Sequence, residues 1–242
     1  MLIGGFIITG NEAKRVVLRA IGPSLSNAGI ADPLIDPVLD LNGPDGSVIT
    51  TNDNWKDTQR QQIEDAQLQP SDDRESAIVA TLNPGVYTAT LRGSNETTGV
   101  ALVEVFDISQ STPSQLANIS TRGLVQIDEN VMIGGFIVGG DSGPAQIVLR
   151  GIGPSLRDEG VNNALDDPTL DLRDSNGERI TFNDNYLDDP AQAAVVTSLG
   201  LQPKDERESA IAVQLPPGPY TVILSGVNGG TGVGLVEVYN TQ

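Results

Sequence analysis

Leu2–Gly10 reads LIGGFIITG, and Met132–Gly140 reads MIGGFIVGG. The recurrence decides the fold, because the rest of the chain repeats after it in the same order. VLRAIGPSL (Val17–Leu25) returns as VLRGIGPSL (Val148–Leu156), DPVLDL (Asp36–Leu41) as DPTLDL (Asp167–Leu172), and TNDNW (Thr51–Trp55) as FNDNY (Phe182–Tyr186). RESAI occurs at Arg74–Ile78 and at Arg207–Ile211, NPGVYT (Asn83–Thr88) matches PPGPYT (Pro216–Thr221), and TGVALVEVFD (Thr98–Asp107) matches TGVGLVEVYN (Thr231–Asn240). The offset is 131 residues between Gly22 and Gly153 and 133 between Pro70 and Pro203, so the copies differ by an insertion in one loop. A unit this long exceeds a solenoid repeat of roughly 20 to 50 residues and suits an independent domain. The expected organisation is two tandem domains, 1–107 and 119–242, joined by the polar stretch 108–118, ISQSTPSQLAN.

Within each copy the apolar residues alternate in short runs punctuated by Gly, Pro, Asn and Asp, which is the pattern of strands and turns. Tyr87, Ala89 and Leu91 fall on one face of a strand, as do Ile78, Ala80 and Leu82. The run Val100–Phe106 is apolar on nearly both faces and predicts a central strand. Helical character is confined to Asp57–Leu68 and Asp188–Leu199, in the loop that varies between copies. The fold class is therefore all-β: two tandem β-sandwiches of jelly-roll or Greek-key type, each with one short helical loop. Before its MIGGFIVGG the second copy carries ISTRGLVQ (Ile119–Gln126), a strand-like segment present once for two domains. Two expectations follow: a piece of a longer array, or a domain with an open edge that another chain fills.

Composition removes whole classes of chemistry. The 242 residues include no cysteine and no histidine, so disulfides, thiol nucleophiles, zinc–thiolate sites and the usual general base are absent. Fourteen basic side chains against 32 acidic ones give a formal charge of −18, which repels nucleic acid and anionic lipid. No apolar run is long enough to cross a bilayer, so neither a nucleic-acid partner nor membrane insertion is expected. Carboxylates, amides and backbone remain, a donor set suited to hard cations such as calcium.

The candidate cation site is acidic and duplicated. It comprises Asn52, Asp53, Asn54 and Asp57 with Asp72, Asp73 and Glu75, and in the second copy Asn183, Asp184, Asn185 and Asp188 with Asp205, Glu206 and Glu208. An NDN tripeptide offers several oxygens over a short span, although the spacing is not that of an EF-hand. The alternative is turn chemistry, with Asn and Asp forming Asx-turns at a strand end. Arg74 and Arg207 are expected to pair with neighbouring carboxylates, and Arg19 and Arg150 to form salt bridges beside the Gly-Pro turn. Trp55 and Tyr186 flank the NDN turns and either pack on the sheet or stack on a sugar ring.

In the order of these motifs the chain resembles a tandem repeat of large secreted bacterial proteins, in which an ISTRG segment leads into IGGFIVGG, LRAIGPSL and DPTLDL. More distantly it is similar to bacterial pre-peptidase C-terminal domains, β-sandwich appendages of secreted enzymes, some of which bind calcium. There the turn is usually Asn-Asp-Asp, whereas here Asn54 and Asn185 replace the last acid. The resemblance implies an extracellular or cell-surface, non-catalytic structural or adhesive module. Its expected partners are neighbouring repeats or copies of itself, in an array or filament assembled by strand addition and stabilised by calcium. The other expectation is a carbohydrate-binding accessory module with a glycan partner.

Overall fold

In the computed structural model of the chain, residues 1–109, 113–139 and 143–241 are described. Gln110, Ser111 and Thr112 of the expected linker, together with 140–142 and Gln242, lie outside the described residues. The chain divides into two compact units, Met1–Ile119 and Ser120–Gln242. Both are all-β apart from short helical segments.

The first unit contains β1 (Leu2–Thr9), β2 (Lys14–Ile21), β3 (Pro37–Asn42), β4 (Val48–Asn52), helix α1 (Arg60–Asp65), β5 (Ser76–Leu82), β6 (Gly85–Gly93) and β7 (Leu102–Asp107). An eleven-residue strand, β8 (Gln115–Val125), follows; its residues up to Ile119 belong to this unit and the rest to the second. One sheet runs β1-β6-β3-β4, with β8 next to β1, and the other runs β5-β2-β7. The pairings β1·β6, β6·β3, β3·β4, β5·β2 and β2·β7 are all antiparallel. Strands with alternating apolar residues bury one face against the opposite sheet. Phe6, Ile8, Leu18, Leu39, Leu41, Ile78 and Leu91 accordingly form one buried cluster fed by both sheets, a β-sandwich-like core. Tyr87, Ala89 and Leu91 lie on its inner face, as their spacing predicts. The Tyr87 ring stacks on Phe6 at 5.5 Å, and its hydroxyl donates to the Asn83 carbonyl at 2.8 Å, closing the NPG turn.

The second unit repeats the plan with β9 (Met132–Val138), β10 (Ala145–Ile152), β11 (Pro168–Arg173), β12 (Arg179–Asn183), helix α2 (Pro190–Ser198), β13 (Ser209–Leu215), β14 (Gly218–Gly226) and β15 (Gly232–Asn240). Its sheets run β13-β10-β15-β8 and β12-β11-β14-β9. Phe136, Leu149, Leu170, Leu172, Ile211, Leu224 and Val236 line the core, and Val125 of β8 joins them.

Two details differ from expectation. Both helices are shorter than predicted, and they start differently. Asp189 caps α2 by accepting from the Ala191 and Gln192 amides, with Pro190 in the first turn, whereas α1 is preceded by Gln59, which has φ of 55° and supplies no side-chain cap. Capping explains why α2 runs nine residues and α1 six. Second, the central strand predicted from Val100–Phe106 is central only in the second copy. There β15 lies between β10 and β8, whereas β7 is the last strand of its sheet. The two strands have nearly the same sequence, so the difference lies in the neighbour and not in the strand.

Candidate functional site

The site grows from the Gly-Pro-Ser turn. After β2 the chain enters a 3-10 helix at Pro23, and Gly22 is required there because a Cβ would stand 2.1 Å from the Leu34 carbonyl oxygen. Gly153 meets the same constraint against the Leu165 carbonyl at 2.3 Å. The turn leaves backbone N–H groups pointing inward with no helical partner. Glu75, fully buried, supplies one. Its Oε1 accepts from Gly22 N (3.1 Å), Ser24 N (2.9 Å) and Ser24 Oγ (2.5 Å), and its Oε2 accepts from Asp72 N (3.2 Å). Glu208, also fully buried, repeats the arrangement with Gly153 N (3.1 Å), Ser155 N (2.9 Å), Ser155 Oγ (2.6 Å) and Asp205 N (3.3 Å). A buried carboxylate is tolerated when its oxygens are met by donors in this way. The LRxIGPSL and RESAI motifs are therefore two halves of one tie.

The next residues extend it. Ser76 Oγ lies within hydrogen-bond distance of both the Pro37 and Asp53 carbonyls, sharing its one proton between them, and the Trp55 amide donates to the Glu75 carbonyl at 2.8 Å. Arg74 forms a forked pair with Asp72 (2.9 and 2.8 Å), and Arg207 does so with Asp205 at the same distances, as the sequence predicts. These arginines hold Asp72 and Asp205 below the ordinary carboxylate range. Arg19 is likewise forked onto Glu104 (2.8 and 2.6 Å), donates to the Leu68 carbonyl and lies over the Phe106 ring. Arg150 does the same with Glu237, the Leu201 carbonyl and Tyr239. Burial first, and then the Glu237 carboxylate, push the Tyr239 hydroxyl up to about 12.

The NDN turns have a different task. Asn52 Oδ1 accepts from the Ala77 amide of β5 at 2.9 Å while its Nδ2 donates to the Asn54 carbonyl at 3.0 Å. Two residues along the same edge, the Gln59 amide group both accepts from Val79 N (2.9 Å) and donates to Val79 O (2.7 Å). Side-chain amides thus stand where a neighbouring strand would pair with β5. In the second copy Asn183 accepts from Ala210 N (2.8 Å) and Gln192 from Ala212 N (3.0 Å). Sequence reading missed the glutamines, because Gln59 precedes α1 while Gln192 lies inside α2; the available signal was that each stands twenty residues before the strand residue it serves.

The fourteen candidate ligands therefore do not form one group; Asp73, for one, pairs with Lys56. Glu75 and Glu208 turn into the core, Asp72 and Asp205 are held by arginines, and Asn52 and Asn183 hold strand edges. Asn54 and Asn185 close turns, each donating to Asp57 or Asp188 at 3.2 Å. What remains unpaired in charge is Asp53, which feels Asp36 and Asp57, and Asp184, which feels Asp167 and Asp188. Desolvation, then these neighbours, raise Asp53 and Asp184 above the ordinary 3.8. Asp184 Oδ1 and Asp167 Oδ1 are buried without a hydrogen-bond partner. Among the described residues, no three Asp or Glu side chains converge closely enough to enclose a metal ion.

Sugar stacking by Trp55 is corrected. Its side chain is only 4% exposed and packs with Val17, Ile63, Ala77 and Val79, under α1 and against the outer face of the β5-β2-β7 sheet. Tyr186, half-buried, packs against the equivalent cluster of Val148, Val196 and Ala210. The varying loop is an apolar cover, and the aromatic residue is its anchor.

No family model matches the chain, and no curated protein matches it. Among solved structures it is similar to a protein of Eubacterium rectale described as secreted, with 8% identity over 97% of this chain and 68% of that one and a TM-score of 0.22. It is also similar to VP2 of an infectious bursal disease virus subviral particle, with 10% identity over 98% and 68% and a TM-score of 0.20. At such scores the likeness carries no argument about fold or function.

Replacing Glu208 by Ala leaves the Gly153, Ser155 and Asp205 amides without their acceptor and is expected to destabilise the second unit by about 3 kcal/mol, as read by urea melts. A loss no larger than that of an exposed Glu206→Ala control would show that the tie is dispensable. Asp184 is raised in the folded state, so ionising it costs stability at neutral pH, and that cost vanishes as pH falls below its unfolded value. Asp184→Asn should therefore melt higher than the parent at pH 7, with the gap closing towards pH 4. A constant gap across that range would contradict the burial argument.

Proposed function

We propose that the chain is a non-catalytic structural module of an extracellular or cell-surface repeat array, and that each unit is a jelly roll. The strand order supports the jelly roll: counting β8 as the first strand of the second unit, its sheets run 6-3-8-1 and 5-4-7-2, the two interlocked Greek keys of that fold. One observation carries the structural role. Apart from the aspartates around Asp53 and Asp184, the residues shared by the two copies that could do chemistry are committed, in the same way in both, to internal ties: glutamate to the Gly-Pro-Ser turn, arginine to glutamate across strands, asparagine to a strand edge. Groups satisfied in this way have few lone pairs or protons left for a substrate. Burial of Trp55 weighs against the carbohydrate-binding alternative, since stacking on a sugar needs an open ring face.

A second reading has its own support. The partnerless, buried oxygens of Asp167 and Asp184 lie where a calcium ion would relieve both desolvation and mutual repulsion. Added calcium is then expected to raise the melting temperature of the parent protein but not of Asp184→Asn; a curve indifferent to calcium and to chelator removes the ion. For the principal role, a glycan array probed with the whole chain is expected to retain nothing. A glycan signal abolished by Tyr186→Ala would replace the structural role with carbohydrate binding.

A further inference from the structure

Sheet edges are the features of this molecule that the ties described above leave unexplained. An unpaired edge offers a row of backbone donors and acceptors to any strand that fits, and stable β proteins blunt their edges. Two kinds of edge here are visibly blunted in both copies. β4 and β12 are five residues long, and their pairing slips register at Leu41/Asn42 and Leu172/Arg173. β5 and β13 are met by the Asn52 and Gln59 amides and by those of Asn183 and Gln192. The other two kinds behave differently: each is flanked by β8 in one copy and ends its sheet in the other.

In the second unit β8 lies next to β15. Val125 reaches into the core, its Cγ2 3.0 Å from where a Cβ on Gly234 would stand, and Val236 and Val238 are buried to 2% and 8% exposure. β7 presents the same Leu-Val-Glu-Val run, yet it ends its sheet. Leu102 is 39% exposed, and Val103 and Val105 are only half-buried. Its pairing with β2 holds one register throughout, and it contains no bulge, proline or lysine. In the first unit β8 lies next to β1, with Leu116 against the core and Ser114 exchanging hydrogen bonds with Glu12. β9 is the counterpart of β1 and ends its sheet, with Ile137 77% exposed.

We propose that the edges of β7 and β9 are docking sites for a strand of the β8 kind, contributed by a neighbouring repeat of the same array. The inference rests on the structural role proposed above and adds the partner and the two places of attachment. The occupant is specified by what already fills the equivalent places. Its first half carries a leucine in the position of Leu116 for a β9-type edge. Its second half carries a β-branched residue in the position of Val125, which on β7 meets Ala101 where β15 has Gly234. Main-chain pairing supplies affinity and the buried valine supplies register. Because the two edges differ, the contact is head-to-tail and propagates instead of closing into a dimer.

The test is a synthetic peptide, QLANISTRGLVQ, corresponding to Gln115–Gln126, titrated into the whole chain and followed by calorimetry and by melting. Saturable binding at both edges is expected, with the melting temperature rising as peptide is added. A peptide carrying Val125→Asp should lose at least about tenfold in affinity at the β7 edge, because it would bury an unpaired carboxylate. The substitution is in the peptide, so folding of the protein is not in question. No saturable binding up to about 1 mM, or equal binding by a scrambled peptide, overturns the proposal. Those outcomes leave the glycan array untouched, and a glycan signal would overturn the structural role without altering peptide binding.

Discussion

Each unit is organised around one carboxylate that never meets water. Glu75 and Glu208 sit where the end of the second strand of each copy, the Gly-Pro-Ser turn and the start of the fifth would otherwise face one another with unmatched donors. Burying a charge is costly, so the surroundings must be built to meet it. That requirement accounts for a serine whose hydroxyl and amide both point at the same oxygen, while the glycine before the turn is fixed by the Leu34 or Leu165 carbonyl beside it.

The tie also orders what lies outside the core. By fixing the residue before β5 or β13 it sets where Ser76 and Ser209 reach the Pro37 and Pro168 carbonyls, linking the two sheets at one end. It likewise places the NDN turn so that an asparagine amide meets the strand edge. The forked arginines Arg19 and Arg150 then fasten the end of the varying loop to the outer sheet face, at the Leu68 and Leu201 carbonyls. Much of the acidity in these loops is thereby neutralised within the fold. The aspartates around Asp53 and Asp184 are the part that is not: desolvation, and then the neighbouring carboxylates, push those two upward, while Arg74 and Arg207 hold Asp72 and Asp205 low.

How much of this was legible depended on the range of the interaction. Strands, turns and the duplication are local patterns, and period-two alternation placed Tyr87, Ala89 and Leu91 on the inner face as the structure does. The arginine–aspartate pairs two residues apart were equally readable. The buried glutamates were not, because Ser24 and Glu75 are 51 residues apart and a glutamate beside arginine and aspartate looks like surface. Trp55 was ambiguous for a related reason: whether an aromatic in a loop faces water or sheet depends on whether the loop folds back, and Val17 and Ala77 show an apolar outer face only once the sheet is assembled. β7 carried the pattern of a central strand, and it is the absence of a flanking strand that no pattern within β7 could reveal.

The glutamine that blocks the β5 or β13 edge arrives by two routes, from a residue with φ of 55° ahead of a six-residue helix and from within a capped nine-residue helix. The sheet therefore places few demands on the path of the intervening chain: an apolar side chain over the sheet, an amide delivered to one spot, and a carbonyl offered to Arg19 or Arg150 at its end. Everything else in that loop is free to change length and composition. In a protein assembled from many such units, this is the segment where successive copies can display different outward surfaces while stacking on an unaltered frame.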